Sequence, residues 1–119
     1  MSNVFRTDKM VVRYDDYKKT AAFLSRCVLC NKSALQDFKY WRITKNDFPY
    51  DRIAKVHDMI IPLRHTNEAG LTADETAELL MIKQQYLQDY EYIIEAAETR
   101  RSIPEHFHLH LIQSKTEYT

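Results

Sequence analysis

The spacing of apolar residues predicts a first helix near the start of the chain. Tyr17, Ala21 and Leu24 recur at intervals of four and three, which places them on one face of a helix. Asp15 or Asp16 lies just before this stripe, and either carboxylate can cap the free N–H groups of the first turn. The predicted helix therefore begins near these acidic residues and runs into the segment Cys27–Cys30.

A second, longer helix is predicted from Thr72 onward. Thr72 and Glu75 match the T-x-x-E capping box, in which each side chain accepts a main-chain N–H of the other. An apolar stripe at intervals of three and four then continues through Leu79, Ile82, Tyr86, Tyr90, Ile93 and Ala97. The part after Tyr90 stays open, because Tyr92-Ile93-Ile94 also suits a strand.

Three segments have strand patterns. Residues 37–44 alternate aromatic or β-branched residues with polar ones, residues 55–63 contain a buried run that ends at Pro62, and residues 106–113 begin in strict alternation. These strands do not alternate regularly with helices. The chain is therefore predicted to be α+β with an antiparallel sheet, as a single domain over residues 1–119.

Composition and charge exclude several functions. The chain has 119 residues, with 17 Lys and Arg against 17 Asp and Glu, so its formal charge is zero. A neutral chain has no overall field that attracts nucleic acid or an anionic membrane. No apolar stretch approaches the roughly 20 residues of a membrane span, and no secretory signal precedes residue 13. We expect a cytoplasmic protein with no nucleic-acid or membrane partner.

Three of the five histidines lie at alternate positions in the last predicted strand. Alternate residues of a strand share a face, so His106, His108 and His110 project from one side while the residues between them enter the core. The row could be a solvent-facing surface, a metal site, or the place of a nucleophile, since neutral imidazole attacks phosphorus well.

The two cysteines form a C-x-x-C motif at Cys27 and Cys30. This spacing is typical of one half of a four-ligand zinc site. A redox pair or two buried free thiols are the alternatives, and the thioredoxin-like flanking pattern is missing.

The segment His106–Ile112, HFHLHLI, resembles the H-φ-H-φ-H-φ-φ signature of the histidine triad superfamily. Three further blocks follow the family order: C-x-x-C at 27–30, NDFPYD at 46–51 and HDMIIPLRH at 57–65. The resemblance covers about residues 26–112. It implies the histidine triad fold, an antiparallel sheet of about four to five strands with one long and one or two short helices.

The resemblance also implies a reaction. In such proteins the middle histidine, here His108, attacks the α-phosphorus of a nucleotide conjugate and forms a covalent nucleotidyl-histidine, while His110 contacts the phosphate. The expected activity is a nucleotide hydrolase or nucleotidyltransferase whose partner is a small-molecule nucleotide. A zinc-stabilised nucleotide-binding or partner-binding module without turnover is the alternative, and a catalytic metal held by the triad itself is a third.

Several residues outside the triad are candidates for substrate binding by the same resemblance. Asn46 would lie near the sugar, and Ser102 would donate to a phosphate. Phe48 and Ile43 would line a base pocket, although apolar residues at such positions are often core. Arg101 would contact a polyphosphate or a leaving group, with plain surface charge as its alternative.

A structural zinc is the expected cofactor. The zinc-bearing branch of the superfamily implies the ligands Cys27, Cys30, His65 and His106, with His57 as an alternative to His65. A closed Cys2His2 set stabilises the fold and leaves the other triad histidines free for chemistry. Many such proteins are two-fold dimers formed through the long helix and an edge strand, so a homodimer is compatible with the sequence.

Overall fold

The computed structural model describes residues 4–115, and within them five strands form one antiparallel sheet. The strands are β1 (Gln36–Asp37), β2 (Trp41–Lys45), β3 (Ala54–Pro62), β4 (Tyr92–Ile94) and β5 (Leu109–Ser114). The helices are α1 (Asp8–Lys18), α2 (Ala21–Leu24) and α3 (Ala73–Gln85). The strand order is β1-β2-β3-β5-β4, so β3 and β5 lie inside the sheet. The predicted α+β class and antiparallel sheet are confirmed.

The predicted start of the first helix is wrong. Helix α1 begins at Asp8, and Thr7 caps it by accepting the main-chain N–H of Met10. Asp51, from a loop 44 positions away, accepts both the main-chain N–H (2.8 Å) and the hydroxyl (2.7 Å) of Thr7. This tertiary contact holds the cap in place. The chain then leaves helical geometry after Lys18, and Thr20 caps the separate helix α2.

The single strand predicted over residues 37–44 is also wrong, because the chain reverses within it. Strands β1 and β2 pair as a short hairpin, and the N–H of Phe38 donates to the carbonyl of Trp41 at 2.8 Å. Phe38 and Tyr40 pack against the core from the turn itself. The turn therefore carries apolar residues where local sequence rules expect glycine or asparagine.

The capping box of the long helix is confirmed, but the helix ends at Gln85. The indole N–H of Trp41 donates to the carbonyl of Glu75 at 2.8 Å and ties α3 to the sheet. Leu87 then enters the core, and the chain returns as strand β4 beside β5. The strand alternative for Tyr92-Ile93-Ile94 is therefore the correct one.

Strand β5 begins at Leu109, later than predicted, so His106 and His108 precede it. The apolar residues between the histidines enter the main core as expected, where Phe107 and Leu111 pack with Trp41. Within residues 4–115, no helix combines the length and apolar character that crossing a membrane requires.

Candidate functional site

Four residues from three segments form a Cys2His2 cluster: Cys27, Cys30, His65 and His106. The donor atoms all lie within 4.8 Å of one another. Nδ1 of His106 is 3.4 Å from the sulfur of each cysteine, and Nδ1 of His65 is 3.2 Å from the sulfur of Cys30. The cluster joins the segment after α2, the loop after β3 and the segment before β5.

The donor set and its spacing fit a tetrahedral zinc ion. Ligands at about 2.0–2.3 Å from a tetrahedral ion lie about 3.3–3.8 Å apart, and the sulfur–nitrogen distances here fall close to that range. Both cysteines are free of a disulfide. The other ring nitrogen of His106, Nε2, lies 3.0 Å from the carbonyl oxygen of Pro62, which holds the proton on Nε2 and turns the Nδ1 lone pair toward the cysteines.

Burial favours the uncharged forms of Cys30 and His106 in the cluster. Burial and the neighbouring thiol of Cys27 raise the pKa of Cys30 to about 11. Burial lowers the pKa of His106, which keeps this ring neutral and able to ligate. A bound divalent ion would lower the pKa of the thiols, because its charge stabilises the thiolates. His57, the alternative ligand, lies elsewhere and contacts His110.

The ring of His108 is oriented by the main chain. Its Nδ1 lies 3.0 Å from the carbonyl oxygen of His106, an atom that only accepts hydrogen bonds. Nδ1 therefore carries the proton, and Nε2 keeps the lone pair. His108 lines a cleft beside the triad, so the geometry provides a nucleophilic nitrogen next to a cavity.

A chain of hydrogen bonds orients His110. The main-chain N–H of Tyr50 donates to Nδ1 of His57 at 2.9 Å, so the neutral His57 ring carries its proton on Nε2. That nitrogen lies 2.8 Å from Nδ1 of His110, which therefore accepts. The remaining proton of His110 is on Nε2, 3.2 Å from the Tyr50 hydroxyl. His110 thus directs an N–H donor at the Tyr50 hydroxyl, which accepts it in this structure.

Both histidines of this hydrogen-bond network, His57 and His110, are held neutral. Burial is the largest cause, and it lowers the pKa of His57 to about 3 and that of His110 to about 2. The positive charge of Arg6 and the ring of His108 lower both values further. Burial also lowers the pKa of His108. Neutral imidazoles suit a nucleophile and a hydrogen-bond donor near neutral pH.

The triad cavity is the cleft lined by His108, His110 and several aromatic residues. It encloses about 740 Å³ of empty space, which includes its open mouth. Among the aromatic residues of its wall, Phe48 stacks against Tyr14 and Tyr17, with ring centroids 4.9 Å apart in each pair. Helix α1 therefore supplies one wall of the cavity.

The proposed substrate-binding residues converge on this cavity. Asn46, Phe48, Ser102 and Arg101 all line it together with His108. The side-chain oxygen of Asn46 accepts the main-chain N–H of Phe48 at 2.8 Å, which braces the loop.

The structure changes the interpretation of two of the candidate residues, Arg101 and Ile43. The side chain of Arg101 is 7% exposed and pairs with Glu68 at 3.4 Å and Glu95 at 3.5 Å, so it is not plain surface charge. Ile43 does not line the cavity and packs in the main core, as its alternative assignment stated.

Sequence reasoning missed the contributions of the N-terminal segment and of Tyr50. Arg6 and Tyr14 lie more than 30 positions before Phe48, and no spacing rule connects them to it. Tyr50 falls inside the NDFPYD block, which marked the loop but not the role of this side chain. Only the docking of α1 on that loop reveals these residues as cavity walls.

No family model matches the chain, and no curated protein matches it. Solved structures do. A HIT family hydrolase from Clostridium thermocellum is 19% identical with a TM-score of 0.56, covering 76% of this chain and 92% of the other. A HIT family hydrolase from Legionella pneumophila is 17% identical with a TM-score of 0.53, covering 76% and 95%.

A third similar structure is a histidine triad nucleotide-binding protein from Candida albicans. It is 19% identical with a TM-score of 0.54, and the match covers 79% of this chain and 78% of the other. At such identities the likeness concerns the fold. Together with the signature segment His106–Ile112, it shows that the chain has the histidine triad fold.

Proposed function

We propose that this chain, which has the histidine triad fold, is a nucleotide hydrolase or nucleotidyltransferase that attacks the α-phosphate of a nucleotide conjugate. One observation carries the proposal. The carbonyl oxygen of His106 holds the Nδ1 proton of His108, so Nε2 has a lone pair beside the triad cavity. Dinucleoside polyphosphates and nucleoside phosphoramidates are the substrate classes to test.

The reaction would proceed in two displacements at the α-phosphorus. The Nε2 lone pair of His108 forms a bond to phosphorus, and the bond from phosphorus to the leaving-group oxygen or nitrogen breaks with its electron pair. The leaving group takes up a proton from solvent water, and the second displacement returns a proton to the solvent. Water then attacks the nucleotidyl-histidine, the phosphorus–nitrogen bond breaks back to Nε2, and a nucleoside monophosphate and a proton are released.

His110 would stabilise the charge that develops on the phosphate oxygens. Its Nε2 proton, fixed by the hydrogen bonds from Tyr50 through His57, would be donated to an oxyanion in place of the Tyr50 hydroxyl, and such donors often lower a barrier by several kcal/mol. Because the ring is neutral, it donates without holding a permanent positive charge against the attacking His108.

The cavity walls suggest how the nucleotide would lie. The stacked rings around Phe48 offer an apolar surface for a base, and Asn46 contacts both the main-chain N–H of Phe48 and the ring of His57. Ser102 and Arg101, on the turn before the triad, would face the phosphates. Within the described residues no φ is positive, so this glycine-free turn is formed in ordinary backbone geometry.

The Cys2His2 cluster would hold a structural zinc through Cys27, Cys30, His65 and His106. The ion would supply cross-linking of three segments rather than reaction chemistry, because all four positions of a tetrahedral ion are then filled by protein. Two free thiols in such a site fit a reducing compartment such as the cytoplasm.

A homodimer through strand β4 is a further part of the proposal. Strand β4 is at one edge of the described sheet, and Tyr92 and Ile93 on it are 58% and 42% exposed. Apolar side chains on an open edge favour pairing with a second copy. Light scattering gives the mass in solution, and a monomer at micromolar concentration would contradict the dimer.

The test is turnover and adduct formation with a panel of nucleotide conjugates. Intact-mass spectrometry of the wild-type protein after rapid quenching is expected to show one nucleotidyl adduct, which peptide mapping assigns to His108. His108→Gln is expected to form no adduct, and His110→Gln to form it more slowly. The control is Gln113→Ala. Gln113 is on β5, as His110 is, but does not line the triad cavity, so this variant is expected to retain the adduct.

Two results would contradict the proposal. Equal turnover by wild type and His108→Gln would exclude His108 as the nucleophile. Nucleotide-dependent thermal stabilisation that survives His108→Gln, without turnover on the whole panel, would show a binding module instead.

A further inference from the structure

Within residues 4–115, the buried cation Arg6 has no carboxylate partner. The residue is 8% exposed, and the one hydrogen bond of its side chain with a described residue runs from Nε to the carbonyl oxygen of Phe48 at 2.8 Å. None of the ion pairs formed within residues 4–115 includes Arg6. A buried charge is costly unless an opposite charge or several hydrogen bonds compensate for it.

Two tyrosine rings compensate Arg6 only in part. Its guanidinium carbon lies 4.7 Å from the ring centroid of Tyr14 and 4.7 Å from that of Tyr50. Such contacts stabilise a cation but leave its outer N–H groups available for an anion. Burial lowers the pKa of Arg6, although Asp51 and Asp15 raise it from a distance.

The other described cations of this region already have partners. Lys18 pairs with Asp15 at 3.2 Å, and Arg101 pairs with two glutamates. Arg100 also has a contact of its own. Arg6 is therefore distinct among the cavity-lining cations in being buried with no acid against it.

Arg6 lies on the wall between two cavities. One is the triad cavity. The other, which we call the side cavity, does not include His108 or His110 but shares seven lining residues with the triad cavity: Arg6, Tyr14, Tyr50, Ala96, Arg100, Arg101 and Ser102. A ligand whose reacting phosphate is at His108 and whose leaving group extends into the side cavity would pass this shared wall, in which Arg6 is buried.

Resting on the function proposed above, we propose that Arg6 binds the phosphate next to the reacting one, on the leaving-group side. The preferred substrates are then conjugates whose leaving group begins with a phosphate, rather than those whose leaving group is an amine. Arg6 is thus a specificity-determining residue contributed by the N-terminal segment.

The test compares nucleotide binding with one and with two phosphates. Isothermal titration is carried out with AMP and with the uncleavable α,β-methylene analogue of ADP, and with the guanosine pair. The wild type is expected to bind the two-phosphate ligand about tenfold more tightly, as a hydrogen bond to a charged group allows. Arg6→Met is expected to remove this advantage while AMP affinity stays within about twofold, and Arg6→Lys to retain part of it.

Arg13→Met is the matched control. Arg13 also lies over the ring of Phe48, at 5.4 Å from its centroid, but it is exposed and lines neither cavity. The phosphate preference should persist in this variant. An equal loss for both ligands in Arg6→Met, or no loss for either, would overturn the inference.

A second probe separates this inference from the proposed function. If no nucleotide binds, the proposed function fails, and thermal stabilisation by methylene bisphosphonate is then measured. A larger stabilisation of wild type than of Arg6→Met supports phosphate binding at Arg6 without a nucleotide. Equal stabilisation of the two proteins would overturn it.

Discussion

The carbonyl oxygen of His106 lies 3.0 Å from Nδ1 of His108, and the ring of the same His106 belongs to the Cys2His2 cluster. The residue that would bind the metal therefore also sets the tautomer of the proposed nucleophile. A structural ion at this cluster would thereby hold the reacting nitrogen in place from a short distance. Under the proposed function, this relationship would connect fold stability with catalysis.

Removal of the metal is expected to lower both stability and activity. Cys30→Ser should lose the bound zinc, measured by elemental analysis, and lower the free energy of unfolding by more than about 2 kcal/mol, because the ion cross-links three segments. Adduct formation at His108 should slow as His106 loosens. Ser25→Ala, an exposed change five positions away, should retain zinc and stability.

A different result would assign the metal elsewhere. Zinc that is retained in Cys30→Ser but lost in His108→Gln would place it on the triad, and the structural role would then be wrong.

Acid is expected to destabilise the fold through His57 and His110. Their pKa values fall to about 3 and about 2 in the folded chain, against about 6.5 when unfolded. Below pH 6.5 the unfolded chain binds protons that the folded chain does not. The free energy of unfolding therefore decreases as the pH is lowered below 6.5, by about 1.4 kcal/mol per pH unit for each histidine.

The variant His110→Gln removes the contribution of His110 to this pH dependence. The slope of unfolding free energy against pH, measured by urea denaturation between pH 6 and 5, should be smaller by about 1 kcal/mol per pH unit than in wild type. An unchanged slope would mean that the ring of His110 takes up its proton in the folded chain.

Phe48 is expected to contribute affinity rather than chemistry. Phe48→Ala should weaken nucleotide binding by about tenfold, since an aromatic face supplies about 1–3 kcal/mol to a stacked base. Phe38→Ala is the control, because Phe38 packs edge-on against Tyr86 away from the triad cavity. Titration calorimetry gives both affinities. Equal losses in the two variants would point to general destabilisation instead of base stacking.

Local patterns predicted the parts of the fold that depend on nearby residues. The capping box at Thr72, the buried strand that ends at Pro62 and the core face of the last strand follow from side-chain periodicity alone. The signature at His106–Ile112 indicated the fold, and the C-x-x-C motif indicated a metal site. These features depend on spacings of a few residues, which the sequence shows directly.

Tertiary contacts decided the remaining features. Asp51 sets where α1 begins, and the packing of Leu87 and β4 determines where α3 has ended. The burial of Arg6 depends on α1 docking onto the loop at Phe48, 42 positions away. Contacts at such separations depend on the shape of the whole sheet, so a pattern within one segment does not encode them. The sequence by itself thus determined the fold class and the candidate chemistry, whereas only the folded chain decided which cation lies beside it.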